Sequence, residues 1–255
     1  MSTDSASPFR DLVETVPLAE GAVIETRRIR YEESGVPLSG LLVWDSSRGG
    51  PRPGVLVVHD WMGEDDYVRA RCEMLARLGY VAFAADVYGE GVRPADAGEA
   101  SALAQQYYAD LPALRARVQA GYDVLAGLAE AEGERLAVMG YCFGGSASLE
   151  FARTGAPLAG AVSFHGALVV HEPADVASLD APLLVLTGAA DPVVPDETVV
   201  AFENELRQRE GLDWQIVSYS DTPHAFTRPG IEAYRPKADA RSWRAMADFF
   251  DEIFA

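Results

Sequence analysis

Basic residues are scarce in this chain. It carries 21 Lys and Arg against 39 Asp and Glu, a formal net charge of −18 over 255 residues. A surface that negative repels phosphate backbones and anionic lipid, so neither nucleic acid nor membrane is expected as a partner. An anionic substrate would need a local cation to receive it against that field. Cysteine is scarcer still. Cys72 and Cys142 allow one disulfide at most, and the composition does not call for a stapled scaffold. The 4 histidines are dispersed and neither an HxxxH nor a CxxC pair occurs, so no metal and no cofactor is expected. No stretch approaches the ~20 apolar residues that span a bilayer. Residues 1–7 have neither the basic start nor the apolar core of a signal peptide. Together these absences point to a reducing cytoplasm with both thiols free.

What is present is ordinary globular material: 49% hydrophobic and 24% charged residues. The length suits one large α/β domain or two small ones. Residues 1–20, polar and proline-containing, read as an N-terminal arm, and 21–255 as a single domain. Residues 22–33 and 36–44 read as strands split by the turn pair Ser34-Gly35. The continuous apolar runs 54–59 and 81–85 suit strands covered on both faces. Between them, Val68, Cys72, Leu75 and Leu78 fall at helical spacing until Gly79 stops the pattern. One or two helices fill 95–131, broken or started by Pro112. Strands at 136–139, 159–164, 183–187 and 214–219 then alternate with helices at 144–154, 196–210 and 239–254. Such alternation predicts a mainly parallel sheet with helices on both faces.

The strongest local signal is Gly140-Tyr141-Cys142-Phe143-Gly144-Gly145, where strand 136–139 meets helix 144–154. It is a G-x-nucleophile-x-G elbow with Cys at the nucleophile position. Small neighbours let strand and helix approach, and the positive end of the helix favours thiolate over thiol. A nucleophile there needs a base and an orienting acid, each on a loop after a later strand, acid first. Asp191 follows strand 183–187 and His224 follows strand 214–219. Taken singly, each has a plainer explanation: a glycine turn that only packs, an Asp-Pro turn starter, a turn histidine. Their order, and their shared place at the carboxyl ends of strands, carries the case for a Cys-His-Asp triad. Cys72 lies on the apolar face of its helix and reads as an inert core thiol.

These segments, with His59-Asp60-Trp61-Met62-Gly63, Ala85-Asp86-Val87-Tyr88-Gly89 and His224-Ala225-Phe226-Thr227-Arg228, resemble the dienelactone hydrolase (carboxymethylenebutenolidase-like) family of α/β-hydrolases from about residue 25 onward. The resemblance implies an eight-stranded sheet and hydrolysis of a small ester or lactone through a thioester. It implies that Asp60, where the characterised enzyme has Glu, takes part in a proton switch that helps generate the thiolate. It implies an oxyanion hole from the backbone N–H groups of Trp61 and Phe143. It implies that Arg228 grips a substrate carboxylate, while the second gripping arginine is replaced in the loop Gly89-Glu90-Gly91. Glu90 cannot hold a carboxylate, which favours a less anionic ester; Arg93 is a nearby substitute. Tyr88, Phe226, Met62 and His165 are expected in the pocket wall. The expected partner is the small-molecule ester or lactone, and the expected state a monomer or homodimer. Two other functions remain open: a non-catalytic small-molecule binder on the same scaffold, and a thiol redox sensor built on Cys142.

Overall fold

The computed structural model describes residues 8–255. One sheet of eight strands runs through it. In chain order these are β1 (Ile24–Glu33), β2 (Val36–Asp45), β3 (Arg52–Val58), β4 (Val81–Ala85), β5 (Ala131–Tyr141), β6 (Gly160–Phe164), β7 (Leu183–Gly188) and β8 (Trp214–Tyr219). The spatial order is β1-β2-β4-β3-β5-β6-β7-β8. β1 pairs antiparallel with β2, and β2 antiparallel with β4; every other pairing is parallel. The expectation of a mainly parallel eight-stranded sheet is met, with an antiparallel hairpin at one edge. That hairpin turns at Ser34 (φ 48°) and Gly35 (φ 77°), both left-handed as a tight two-residue turn requires.

The helices are α1 (Pro8–Val13), α2 (Asp66–Leu78), α3 (Ala97–Ala109), α4 (Leu111–Ala126), α5 (Phe143–Ala152), α6 (Asp196–Leu206) and α7 (Pro236–Ile253). The stretch 95–131 is thus two helices, and Pro112 stands in the first turn of α4, where its missing N–H costs nothing. The polar arm expected over 1–20 needs correction: residues 8–13 form α1, and Leu12, Val13 and Val16 are buried against α2 and the sheet. Three apolar side chains are enough to dock a segment whose composition is otherwise polar. Residues 1–7 of the expected arm lie outside the described residues.

Two apolar layers follow from the two-residue repeat of the strands. Leu56 and Val58 of β3 face the layer made with α3, α4, α5 and α6. Val55 and Val57 face the layer made with α1, α2 and α7. Each fully buried Val, Leu or Phe contributes about 1.5–3 kcal/mol, so these layers hold the sheet flat against its helices. α2 is closed at both ends. Asp65 caps its first turn by accepting from Tyr67 N and Val68 N, and Gly79 (φ 106°) ends it. Cys72 sits fully buried on its inner face, and burial pushes its thiol well above the ordinary range. Among the described residues no helix is long and apolar enough to cross a membrane.

Candidate active site

The carboxyl ends of β3, β5, β6, β7 and β8 open onto one side of the molecule, and each delivers one chemically active residue there: Asp60, Cys142, His165, Asp191 and His224. Cys142 sits between β5 and α5 with φ 54° and ψ −117°, a strained backbone for any residue but glycine. The turn is held because nothing larger than glycine fits around it. A Cβ on Gly144 would lie 2.1 Å from the Val58 carbonyl oxygen, and one on Gly140 2.2 Å from the Gly144 carbonyl carbon. No side chain caps α5, so its first turn presents bare N–H groups beside the Cys142 sulfur.

His224 Nε2 stands 3.1 Å from Cys142 Sγ, and its Nδ1 2.8 Å from Asp191 Oδ2. Asp191 Oδ1 accepts Val193 N–H at 2.8 Å, which fixes the carboxylate. Burial opposes a charge on the His224 ring, but the hydrogen bonds and charges of Asp191 and Cys142 outweigh it and push the imidazole up to about 10. At neutral pH the ring therefore carries both protons, one toward the carboxylate and one toward the sulfur. The three residues named from the sequence are in contact in the expected order.

A cavity of about 690 Å³ opens over Cys142 and His224, walled by Trp61, Met62, Tyr108, Phe143, Val193 and Ile231 among others. His165 and Met62 line it, as expected from the sequence. Tyr88 and Phe226 do not. Phe226 is fully buried against His165 and Tyr219. Tyr88 packs on His59 and Phe143 and donates from its hydroxyl to the Trp61 carbonyl at 3.1 Å. Both are bulky apolar rings next to the site, and the core claims them before the cavity does. A larger hollow, about 830 Å³, lies between α1, α2 and the β1–β2 edge, but it contains none of the candidate residues.

Asp60 was expected to engage the nucleophile. Its carboxylate instead accepts Met62 N–H at 2.8 Å and Arg228 Nη1 at 2.9 Å. Burial raises it to about 6; Arg228 pulls it down and neighbouring Asp65 pushes it up. Arg228, expected free to grip a substrate carboxylate, is engaged by Asp60 and by Asp65. Arg93 does not reach in. It turns to Glu64, donating to the backbone carbonyl at 2.9 Å and to the carboxylate at 3.3 Å. Glu90 pairs with Arg30 at 2.6 Å on the surface and does not line the cavity.

Two features escaped the sequence. Asp65 is the first, and its partner Arg228 is 163 residues away. The second is a buried chain behind Cys142. Cys142 N–H, which also bonds Phe164 O at 2.9 Å, lies 3.2 Å from His165 Nδ1; His165 Nε2 lies 2.6 Å from Thr227 Oγ1, which shares a 2.6 Å bond with Tyr67. Burial, with His224 and Arg71 nearby, holds His165 well below the ordinary imidazole range, so it is neutral. With Nδ1 accepting, Nε2 carries the proton and donates to Thr227. Among the described residues no group of three or more His, Cys, Asp or Glu could hold a metal ion.

The profile of the Dienelactone hydrolase family matches residues 38–254. The chain belongs to the dienelactone hydrolase family. It is 39% identical to a solved structure described as a dienelactone hydrolase-like promiscuous phosphotriesterase from metagenomic libraries, with a TM-score of 0.87 over 92% of this chain and 100% of that one. It is 30% identical over 214 residues to an Escherichia coli K12 protein provisionally named carboxymethylenebutenolidase, covering 80% of this chain and 78% of the relative. A Klebsiella pneumoniae structure provisionally described as a dienelactone hydrolase matches at 27% identity and TM-score 0.79, over 90% of this chain and 99% of that one. These relatives share the α/β-hydrolase fold, and with them this chain is a dienelactone hydrolase-like hydrolase.

Proposed function

We propose that this hydrolase cleaves small carboxylic esters, lactones included, with Cys142 as nucleophile. The observation that carries the proposal is the 3.1 Å contact of Cys142 Sγ with the His224 ring, which Asp191 holds at 2.8 Å. The thiolate attacks the ester carbonyl carbon. The carbonyl oxygen becomes an oxyanion, received by the N–H groups of Phe143 and Trp61, an effect of about 3–4 kcal/mol per donor in comparable sites. As the tetrahedral intermediate collapses, the C–O bond breaks and His224 Nε2 gives its proton to the departing alkoxide, leaving a thioester on Cys142. His224, now neutral at Nε2, takes a proton from water; the hydroxide adds to the thioester and expels the thiolate, and the acid leaves. Asp191 keeps the ring oriented through both halves. Amides fit poorly, because the thiolate leaves the tetrahedral intermediate more easily than an amine does.

Asp60, buried beside Arg228 and close to the same cavity, is our candidate for the family's proton switch. Cys142 and Cys72, both unpaired, suit a reducing cytoplasm. Cys72, buried on α2, offers Cys142 no resolving partner, which argues against a redox sensor. A paired nucleophile and base argue against a mere binder.

A second substrate class has one observation in its favour. The cavity wall is mostly apolar and its arginine is already neutralised by two aspartates, which suits an uncharged phosphotriester as well as a neutral ester. The experiment is a panel of p-nitrophenyl acetate, butenolides and a p-nitrophenyl dialkyl phosphate with wild type and Cys142→Ala. Turnover of the esters should vanish in the variant. Full retention would sink the proposal.

A further inference from the structure

We infer that Asp65 sets the charge preference of this site: by holding Arg228 in a second ion pair, it closes the cavity to substrates that carry a carboxylate. The inference rests on the ester-hydrolase reading and names the substrate class within it.

Arg228 is the one arginine or lysine among the described residues lining the cavity. Its Nη1 bonds Asp60 Oδ2 at 2.9 Å and its Nη2 bonds Asp65 Oδ2 at 2.5 Å. The guanidinium also lies over the rings of Tyr67 and Phe9, 5.0 and 5.5 Å from their centroids. Two carboxylates on one guanidinium leave a local balance of one negative charge. A third carboxylate, brought by a substrate, would have to displace one of them while facing both. Three other arginines, Arg28, Arg69 and Arg93, converge on the fully buried side chain of Glu64.

Asp65 does not line the cavity, so it acts through Arg228. It is also unable to follow that arginine if a ligand pulls it away. Its other oxygen, Oδ1, is the cap of α2 and accepts Tyr67 N–H at 3.0 Å and Val68 N–H at 3.3 Å. One side chain thus serves two purposes, and the cap fixes the geometry of the clamp. Asp65 is a positioning residue in this sense, and the choice between neutral and anionic substrates is what it controls.

Titration calorimetry with glutarate, and with glutaramide as its uncharged counterpart, reads this preference without turnover. Wild-type protein should bind the diamide at least as tightly as the diacid. Asp65→Asn keeps an oxygen for the cap and removes the clamping charge. It should tighten glutarate about 10-fold, the low end of what a charge-assisted hydrogen bond contributes, with glutaramide unmoved. The gain should disappear when Arg228→Gln is added, and Asp65→Glu should return the protein toward wild type. The inference is overturned by a wild type that already prefers glutarate, by an Asp65→Asn protein that shows no gain, or by a gain that survives Arg228→Gln. The wild-type comparison decides even if a variant fails to fold. Ester turnover that survives Cys142→Ala would instead remove Cys142 as the nucleophile and leave the calorimetric result standing.

Discussion

The ring of His59 donates from Nδ1 to the carbonyl oxygen of Asp60 at 2.7 Å. Its Nε2 accepts Val87 N–H at 3.2 Å, which fixes the tautomer, and complete burial keeps the ring neutral. The Asp60 carbonyl and the Trp61 N–H belong to one trans, planar amide, so holding the oxygen aims the N–H the opposite way. That N–H is the proposed oxyanion donor, and Tyr88 steadies the next amide through the Trp61 carbonyl. Losing a donor outright costs about 10²–10³ in rate, and a misaimed one part of that. His59→Leu should therefore lower kcat about 10–100-fold with KM little changed. Steady-state kinetics on p-nitrophenyl acetate checks this; a loss confined to KM would remove His59 from the oxyanion argument.

Asp191→Asn tests the acid. His224 is raised from 6.5 to about 10, so its ion pairing contributes stability that is full below about 6.5 and lost as pH rises through about 10. The same charge supplies the proton for the leaving alkoxide, so the alkaline limb of the kcat profile should fall near pH 10. An asparagine removes the carboxylate and can present a donor to Nδ1, favouring the wrong tautomer. The expected loss in kcat is about 10³–10⁴-fold, with the alkaline limb moved downward. An unmoved limb would show that Asp191 does not hold the ring's charge.

How much of this was legible follows from range. The alternation of β3 to β8 with helices, broken between β6 and β7, is a local pattern, and so is the glycine-bounded Cys142, whose neighbours must lack a Cβ for reasons internal to the turn. Asp191 and His224 could be found because chain order and strand ends place them without knowledge of packing. Arg228 shows the limit. Its position was visible, but whether it faces a substrate or two aspartates depends on α2 arriving from 163 residues away. Tyr88 and Phe226 failed for a related reason: an aromatic at a strand end can face the cavity or the core, and only the three-dimensional neighbours decide. The helix α1 was missed because its two buried side chains, Leu12 and Val13, are few among polar ones.

Gly144→Ala should destroy the site rather than trim it. The added methyl would sit 2.1 Å from Val58 O and 2.5 Å from His59 O, both backbone atoms of β3 and its end, which cannot swing aside as a side chain can. Moving them means separating α5 from the sheet or rotating the elbow, and either carries Cys142 away from His224. Loss of all measurable esterase activity is expected, together with a thermal midpoint lowered by several degrees or no folded protein at all. Scanning calorimetry and activity on the same sample check this. A stable, active Gly144→Ala protein would show that the close approach of α5 and β3 is not required.

Asp60→Asn separates burial from attraction at the Arg228 pair. The carboxyl is raised from 3.8 to about 6 by burial, which Arg228 only partly offsets. A raised folded-state value means that Asp60 favours the folded protein below pH 3.8, and that this contribution disappears as pH rises through about 6. Above that window the ionised side chain is a net cost, about 3 kcal/mol at most for two pH units. Asparagine keeps an oxygen for Met62 N–H and carries no charge, while Arg228 keeps Asp65. The variant should therefore be more stable than wild type by about 1–3 kcal/mol at pH 7.5, and no more stable at pH 3.5. Urea unfolding at the two pH values measures the difference. Destabilisation at pH 7.5 would mean that the attraction of Arg228 exceeds the cost of burial, and that Asp60 is held as a firm carboxylate rather than poised to take a proton.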